Sequence, residues 1–167
     1  MAYRQIATSG IRAKNKVPKE KALQKIRHFC GYQERCHQEV KDRLYEMGLW
    51  KKDVDEIISH LIEDNYLNEE RFAIQFAGGK FRMKQWGRVK IRFELKQRNI
   101  SSYCIKKAMT EIEDEPYQRT LNDILSKKLL LLKGEKNVFI KKRKLQDYLL
   151  QKGFEADLIH TAIHNSI

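Results

Sequence analysis

The sequence repeats one apolar pattern three times around a residue that suits a left-handed turn. That residue is Gly48, Asn99 or Gly153, and the intervals between them are 51 and 54 residues. Glycine has no Cβ and asparagine tolerates positive φ, so both are typical of the residue that follows a helix C-terminus. The pattern predicts repeated helix–turn–helix units, which present extended surfaces and do not enclose a deep pocket.

Apolar residues occupy equivalent positions on both sides of each turn. Leucine stands four residues before the turn, and other apolar residues stand eight before, one after and six after it. These spacings place the side chains on one face of the helix on each side. We therefore expect one buried set per copy: Val40, Leu44, Leu49 and Val54; Ile91, Leu95, Ile100 and Ile105; Leu145, Leu149, Phe154 and Ile159.

Periodicity and capping residues divide the chain into an arm and three repeats. Residues 1–17 carry four basic residues and no acid, which predicts a flexible basic arm. The repeats are predicted at 18–66, 67–114 and 115–167. Their helices are predicted at 19–30, 36–47 and 53–65; 68–81, 87–98 and 101–113; 116–132, 138–152 and 156–165. The predicted fold is all-α: three tandem three-helix repeats, with about nine short helices, in an elongated, curved stack.

Basic residues are in excess and are concentrated in two places. The net charge is +12, from 34 Lys and Arg against 22 Asp and Glu, which indicates a polyanionic partner. One cluster lies within residues 80–98 and another opens the helix predicted at 138–152. We expect equivalent helices to align these charges along one side of the stack. The candidate residues for contact with a filament or a DNA phosphate are Lys80, Arg82, Lys84, Arg88, Lys90, Arg92, Phe93, Lys96, Lys141, Lys142 and Arg143.

The helix predicted at 87–98 carries an apolar pair opposite its core side. Val89 and Phe93 lie on this second face, whereas the equivalent positions in the other two repeats are polar. The pair is either buried between neighbouring repeats or exposed as an apolar contact among basic residues. The sequence leaves both interpretations open.

Motifs for catalysis and for metal or nucleotide binding are missing. No P-loop, dinucleotide-binding, zinc-protease or nucleophile-elbow motif occurs, so we expect neither catalysis nor a cofactor. His28, Cys30, Cys36 and His37 are close in sequence, but their spacing does not resemble a zinc hairpin. Cys30 also continues an apolar stripe, which predicts a core residue and no metal.

Apolar runs are short. The longest, residues 129–132, is four leucines and makes one helical turn, whereas a membrane span needs about 20 residues. The N-terminus lacks the apolar region of a signal peptide, and three cysteines form no even framework. We therefore expect a cytoplasmic protein without membrane contact.

Sequence-specific DNA reading by these helix–turn–helix units is disfavoured. The helix after Gly48 carries Asp53, Asp55 and Glu56, whose carboxylates would repel phosphate. The basic residues nevertheless leave a second hypothesis open, a helical-repeat protein that binds DNA or RNA.

Three blocks of the chain resemble the RecX family of recombinase regulators. Residues 64–73 read DNYLNEERFA, which is similar to that family's acidic-x-x-Tyr-Leu-Asn-Asp/Glu-x-Arg-Phe-Ala stretch. Gly87, Ile91, Glu94 and Leu95 match its Gly-x3-Ile-x2-Glu-Leu segment, and residues 144–154 resemble its last repeat. The resemblance runs from about residue 20 to the end. One departure is Cys36, where the family usually has Ser in a capping box, so this helix is expected to start late or fray.

The resemblance implies a specific function. RecX proteins are all-helical, three-repeat proteins that bind the RecA filament in its groove. They inhibit or tune its ATPase, strand exchange and co-protease activity, in DNA repair, recombination and the SOS response, without catalysis of their own. We expect a monomer whose partner is the RecA filament on DNA, with direct contact to single- or double-stranded DNA as a further expectation.

Overall fold

Helix is the only regular secondary structure in residues 17–167, which a computed structural model of the protein describes. Each predicted helix is present there, with ends within about three residues of the prediction, and none is long and apolar enough to cross a membrane. Residues 1–16, nearly all of the predicted arm, lie outside the described residues. The helices are α1 (Lys19–Tyr32), α2 (His37–Glu46), α3 (Lys51–Glu63), α4 (Glu69–Lys84), α5 (Arg88–Gln97), α6 (Ser102–Thr110), α7 (Asp114–Leu131), α8 (Val138–Lys152) and α9 (Ala156–Ser166).

The three predicted turns have the same backbone conformation. Gly48, Asn99 and Gly153 have φ of 81°, 56° and 90°. In each turn this residue's N–H donates to the carbonyl three residues back, at 2.9–3.0 Å. The next N–H donates to the carbonyl five residues back, at 3.2–3.4 Å. This pair of bonds is the Schellman motif, which brings the apolar residue after the turn against the leucine before it.

The predicted core positions are buried. All twelve apolar residues of the three-copy pattern are at most 7% exposed. Their burial explains why the pattern recurs: removing apolar surface from water contributes roughly 25 cal/mol per Å². The repeated pattern therefore specified both the turns and the residues that pack around them.

The helices form two compact units. The first ends at Glu69 and contains α1, α2 and α3 around fully buried residues such as Ile26 and Leu61. The second, Glu70–Ile167, contains repeats two and three. Tyr117 of α7 lies in its core, with its ring centroid 5.8 Å from that of Phe81 and 5.1 Å from that of Phe154. Because this buried ring contacts residues of both repeats, they form one core.

Ser101 and Pro116 are residue types typical of a helix start, and they lie at the starts of α6 and α7. The Ser101 hydroxyl accepts a hydrogen bond from the Cys104 N–H, and Pro116 lies in the first turn of α7. The expectation that the helix after Cys36 starts late is wrong, because Cys36 is itself the N-cap and α2 begins directly after it, at His37. The Glu39 carboxylate accepts a hydrogen bond from the Cys36 N–H at 3.0 Å, so this half of the capping box forms without a serine.

Two further turns differ from the prediction. Asn65 and Gln85 also have positive φ, 58° and 53°, and they follow the ends of α3 and α4. The helix predicted at 53–65 includes Asn65, whereas α3 ends two residues earlier, at Glu63. The helix predicted at 68–81 ends about one turn before α4 does, at Lys84. A glutamine gives no turn signal, because side chains other than Gly, Asn and Asp rarely adopt this conformation.

Candidate polyanion-binding site

Two aromatic rings in repeat two each lie next to two cations. The Trp86 ring centroid is 5.2 Å from Lys80 Nζ and 4.7 Å from Lys90 Nζ. The Phe76 ring centroid is 5.2 Å from Lys80 Nζ and 4.8 Å from the Arg98 guanidinium carbon. Each such contact contributes about 0.5–1 kcal/mol at an exposed position. The contacts order lysine side chains that would otherwise move freely in solvent.

The start of α5 lies directly against the end of α8. The Gly87 N–H donates to the Lys152 carbonyl at 2.9 Å, and the Val89 N–H donates to the Gly153 carbonyl at 3.0 Å. A Cβ at Gly87 would lie 2.1 Å from the Gly153 oxygen, and a Cβ at Gly153 would lie 2.2 Å from Lys90 Cβ. Only glycine at both positions lets the two backbones approach this closely.

This junction brings lysines of the two repeats together. Lys90 Nζ donates to the Gln151 carbonyl at 3.3 Å, and Lys152 Nζ donates to the Lys84 carbonyl at 3.3 Å. Lys90 of α5 therefore reaches the end of α8, and Lys152 of α8 reaches the end of α4.

A third ring extends the same arrangement into repeat three. The Tyr148 ring centroid lies 4.8 Å from Lys128 Nζ and 5.9 Å from Lys152 Nζ. The contacts thus form two chains, one on α4 and α5 and one from the end of α4 through α8 to α7, and they meet where Lys90 donates to the Gln151 carbonyl. We call this surface the cation–aromatic track and define it by Arg98, Phe76, Lys80, Trp86, Lys90, Lys84, Lys152, Tyr148 and Lys128.

The track has the chemistry of a polyanion-binding surface. Six cations belong to it, and Arg98 alone among them forms an ion pair within residues 17–167, with Glu94 at 2.7 Å. The other five are lysines without a carboxylate partner there; the ammonium groups of Lys80, Lys90, Lys128 and Lys152 contact rings or carbonyl oxygens, whereas Lys84 accepts a hydrogen bond through its carbonyl. A row of ordered positive charges attracts phosphates, and partly exposed aromatic rings add contact area for bases or apolar side chains.

Arg88 is the predicted site residue that the structure uses internally. Its guanidinium donates to the Ile112 carbonyl and to the Asp114 carboxylate, both at 2.6 Å. It also lies 4.2 Å from the Tyr117 ring, and its side chain is 17% exposed. These contacts hold α5 against α7, so we assign Arg88 to packing and omit it from the site proposed below.

Tyr117 completes this buried arrangement with its hydroxyl group. The hydroxyl accepts a hydrogen bond from the Arg88 N–H at 2.9 Å and donates one to the Glu155 carboxylate at 2.6 Å. Burial, together with the hydrogen bond to Glu155, raises the pKa of Tyr117 well above its usual range. The residue therefore remains a neutral hydrogen-bonding link between the start of α5 and the start of α9.

Other predicted basic residues lie on the exposed part of repeat two. Arg82, Arg92 and Lys96 are exposed, and within residues 17–167 none of them forms an ion pair. They border the track on α4 and α5 and remain available to a partner.

The basic run of repeat three lies elsewhere. Relative to the turns, Lys90 is equivalent to Lys144, yet Lys90 contacts Gln151 near the opposite end of α8. Lys141, Lys142 and Arg143 therefore lie about 13–17 Å along α8 from Lys152, at 1.5 Å per residue. The basic runs of repeats two and three therefore do not align as expected. The repeat-three lysines of the track are instead Lys152, which contacts the Lys84 carbonyl, and Lys128, which shares the Tyr148 ring with it.

The sequence carries a signal for the track that the density of basic residues does not reveal. Phe76, Trp86 and Tyr148 are each followed by a lysine four residues later. Residues four apart are neighbours on a helix, so the pattern predicts a ring beside an ammonium group at Phe76 and at Tyr148. Trp86 lies just before the N-cap of α5, so its contact with Lys90 does not follow from helix spacing. The pattern does not predict which of these pairs lie together, because that depends on the α5–α8 junction.

The apolar pair on α5 is exposed. Val89 is 48% and Phe93 57% exposed, whereas Ile91 and Leu95 on the other side of the helix are fully buried. Burial of Phe93 between repeats is therefore excluded, and the interpretation as an exposed apolar contact among basic residues is retained.

The cysteines lie in the core. Cys30 and Cys36 are 5% and 1% exposed, and burial raises the pKa of Cys30 to about 11. Within residues 17–167, no three His, Cys, Asp or Glu side chains come together as a metal site would require. Cys30 thus has the predicted place in the α1 core stripe, as a protonated thiol.

Two family models match the chain in order. The model described as "RecX, second three-helix domain" matches residues 68–109, and "RecX, third three-helix domain" matches residues 115–163. Together they cover just over half of the chain and correspond to repeats two and three.

Curated relatives are similar over most of the chain. "Regulatory protein RecX" of Bacillus cytotoxicus is 28% identical over 145 residues, 86% of this chain and 53% of that protein. "Regulatory protein RecX" of Prosthecochloris aestuarii is 27% identical over 143 residues, 86% of this chain and 91% of that protein. The chain thus spans about half of the first relative and nearly all of the second.

Solved structures share the fold. The crystal structure of RecX from Lactobacillus salivarius has a TM-score of 0.78 and 22% identity, covering 88% of this chain and 95% of that one. A second crystal structure, of "regulatory protein RecX", has a TM-score of 0.78 and 19% identity, covering 86% of this chain and 70% of that one. At these identities the likeness concerns the fold alone.

Proposed function

We propose, on the premise that this chain belongs to the RecX family, that it is a non-catalytic regulator of the RecA recombinase. It binds the RecA filament on DNA and inhibits ATP hydrolysis, strand exchange and co-protease activity in DNA repair and recombination. The observation that carries the proposal is the ordered match to two RecX domains, supported by relatives named as regulatory proteins. We assign the cytoplasm as the site of action, because the proposed partner acts there.

The surface of repeat two fits a nucleoprotein partner. The cation–aromatic track supplies ordered positive charge, and Arg82, Arg92 and Lys96 extend it. Phe93 adds an exposed apolar side chain on the same helix as Arg92 and Lys96. An apolar anchor with a charged rim is the usual arrangement of a protein interface, in which the anchor supplies affinity and the rim supplies specificity and association rate.

A second candidate function is binding of DNA or RNA without a recombinase. The observation in its favour is the alternation of lysines and aromatic rings along the track, which also occurs in proteins that bind single strands. In that case Phe93 would contribute less than the track itself, because charge neutralisation along the phosphate backbone dominates the affinity.

One binding measurement separates the two candidates. Fluorescence anisotropy compares the affinity for bare single-stranded DNA with that for the same DNA coated by the recombinase and a non-hydrolysable ATP analogue. At about 0.15 M salt, where exposed charges are screened beyond about 8 Å, the proposed function predicts much tighter binding to coated DNA. Equal affinity for both, together with full ATPase and strand-exchange rates at a large excess of this protein, would support the second candidate.

Phe93→Ala tests the proposed anchor. We expect an unchanged melting temperature, because the side chain is exposed, and at least about tenfold weaker filament binding, as for an interface hot spot. The matched control is Met83→Ala, which removes an even more exposed side chain, 81%, from the end of α4. Equal filament affinities of the two variants would remove Phe93 from the site.

A charge reversal tests the basic rim. Arg92→Glu with Lys96→Glu leaves the junction intact, whereas Lys90 is avoided because it contacts the Gln151 carbonyl. The control reverses two exposed lysines elsewhere, Lys52 and Lys106, with the same change in net charge. We expect the rim variant to bind more weakly than the control, with the largest difference at low salt.

A further inference from the structure

Exposed apolar side chains are concentrated where α7 meets α8. Among residues 17–167, five of the sixteen exposed large apolar side chains fall within residues 130–140. Leu131 is 78% and Phe139 88% exposed, the latter being the highest value among them. We call this surface the α7–α8 tip and define it by Leu130, Leu131, Val138, Phe139 and Ile140.

The tip is exposed because two helix ends place its apolar side chains there and no other part of residues 17–167 buries them. α7 continues through Leu131, and the Leu132 N–H still donates to the carbonyls of Lys128 and Leu129. Asn137 caps α8 by accepting hydrogen bonds from the Phe139 and Ile140 N–H groups. Both helix ends are therefore well formed, and their apolar side chains project beyond the core of the unit.

Lysines surround the tip. Six lysines lie between residues 127 and 142, and the only carboxylate among these residues is Glu135. Glu135 is engaged by Lys144 at 2.8 Å and by the Asn137 N–H at 3.2 Å, and the ion pair lowers its pKa. The tip thus combines an apolar surface with a positive border that carboxylates within this segment do not neutralise.

An exposed apolar patch with a polar border marks an interaction site. A second copy of this chain would bring lysine borders together, which is strongly unfavourable. The chain's own residues 1–16 carry four basic residues and no acid, so they do not complement the tip. A bilayer is disfavoured because the connection itself, residues 133–136, is Lys-Gly-Glu-Lys and would have to enter the lipid ahead of the apolar side chains.

We propose that the α7–α8 tip docks an acidic amphipathic helical segment of a partner protein. The partner's apolar face covers Leu131 and Phe139, and its carboxylates lie against the border lysines. The partner helix would lay its apolar face against the exposed side chains of two helix ends, with the anchor spacing used by other amphipathic helices in complexes. The surface is distinct from the anchor and rim proposed on α5, and its test needs no recombinase.

A labelled peptide provides the direct test. The probe is a designed amphipathic helix of about 18 residues, with Glu on one face and Leu and Phe on the other, and anisotropy reports binding to the full chain. Its control has the same composition in an order that forms no apolar face. We expect the amphipathic peptide to bind at least about tenfold more tightly than its control, because apolar contact adds to the shared charge.

Variants of the chain locate the binding. Leu131→Gln with Phe139→Gln should weaken peptide binding at least about tenfold and leave the melting temperature unchanged. The matched control, Met83→Gln with Tyr103→Gln, alters side chains that are 81% and 63% exposed and should bind as wild type. Lys133→Gln with Lys136→Gln should weaken binding and reduce its salt dependence.

Four results would overturn the proposal. The amphipathic and control peptides could bind equally, or the tip and control variants could bind the peptide equally. Vesicles of phosphatidylglycerol could bind through the tip while the peptide does not, which would identify a membrane surface. Sedimentation could show self-association that the tip variant abolishes, which would identify a second copy as the occupant.

Discussion

Gly87→Ala tests whether repeats two and three are held by close backbone approach. At Gly87 φ is −74° and ψ is 162°, a conformation open to any residue, so alanine adds no backbone strain. Its Cβ would, however, lie 2.1 Å from the oxygen and 2.2 Å from the carbon of the Gly153 carbonyl. These are backbone atoms of a formed turn and cannot rotate away, so the junction has to open.

The expected loss follows from the contacts at the junction. Two backbone hydrogen bonds, of 2.9 and 3.0 Å, would lengthen or break, each worth about 0.5–1.5 kcal/mol. Overpacking of a close contact costs about 1–3 kcal/mol in addition. We expect the unfolding free energy of the second unit to fall by about 2–6 kcal/mol. Its melting temperature should fall by about 4–8 °C for each kcal/mol lost, as for a unit of this size.

Gly87→Ser separates collision from helix capping. Gly87 is the N-cap of α5, and alanine is a poor N-cap whereas serine is a favourable one. Both substitutions add the same Cβ, so a collision predicts that both destabilise the unit. Urea unfolding followed by far-UV circular dichroism measures this, with Gly134→Ala as the control because nothing lies within 4 Å of its added Cβ.

The serine variant decides the outcome. A Gly87→Ser protein as stable as wild type, beside a destabilised Gly87→Ala protein, would show that capping and not close approach sets the requirement for glycine. The close approach of the two backbones at the junction would then be refuted.

Three further predictions concern titratable side chains that are buried or half-buried. Tyr117→Phe should lower the unfolding free energy by about 1–3 kcal/mol in urea titrations, because the buried hydroxyl links the Arg88 N–H to the Glu155 carboxylate; an unchanged midpoint would contradict this role. Burial lowers the pKa of His37 in the folded chain, so the unfolded chain binds the proton more readily. The folded state therefore keeps its full stability above about pH 6.5, the usual histidine pKa, and loses stability as the pH falls below it. The urea midpoint of the first unit should drop between pH 7 and 5 and drop less in His37→Gln. All three cysteines are buried, so a thiol reagent at pH 8 should label the native chain far more slowly than the chain in denaturant; rapid native labelling of any of them would contradict the core assignment.

Local signals in the sequence specify the helices, three of the turns and most of the core. Gly48, Asn99 and Gly153 adopt the predicted left-handed conformation because few residue types reach it without steric cost. The leucines before these turns are buried because side chains four apart share a helix face. Such signals act over a few residues and are readable without knowledge of distant contacts.

The sequence shows where basic residues are dense, but it does not show which of them share a surface. The sequence identified Lys80, Lys90 and Arg92, yet it also included Arg88, whose guanidinium is engaged in packing α5 against α7. It did not include Lys152, which lies near Lys84 only through the α5–α8 junction. A basic side chain looks the same in sequence whether its partner is solvent, a carboxylate or a ring.

Which surfaces are joined and which remain open follows only from the packing of distant parts of the chain. Gly87 and Gly153 are 66 positions apart, and the approach of their backbones sets the neighbours of Lys90. The same packing leaves Phe93 and Phe139 exposed although both are large apolar side chains on helices. Periodicity assigns a side chain to a face of its own helix, whereas burial depends on which other helix covers that face, and this is settled only when the whole unit has packed.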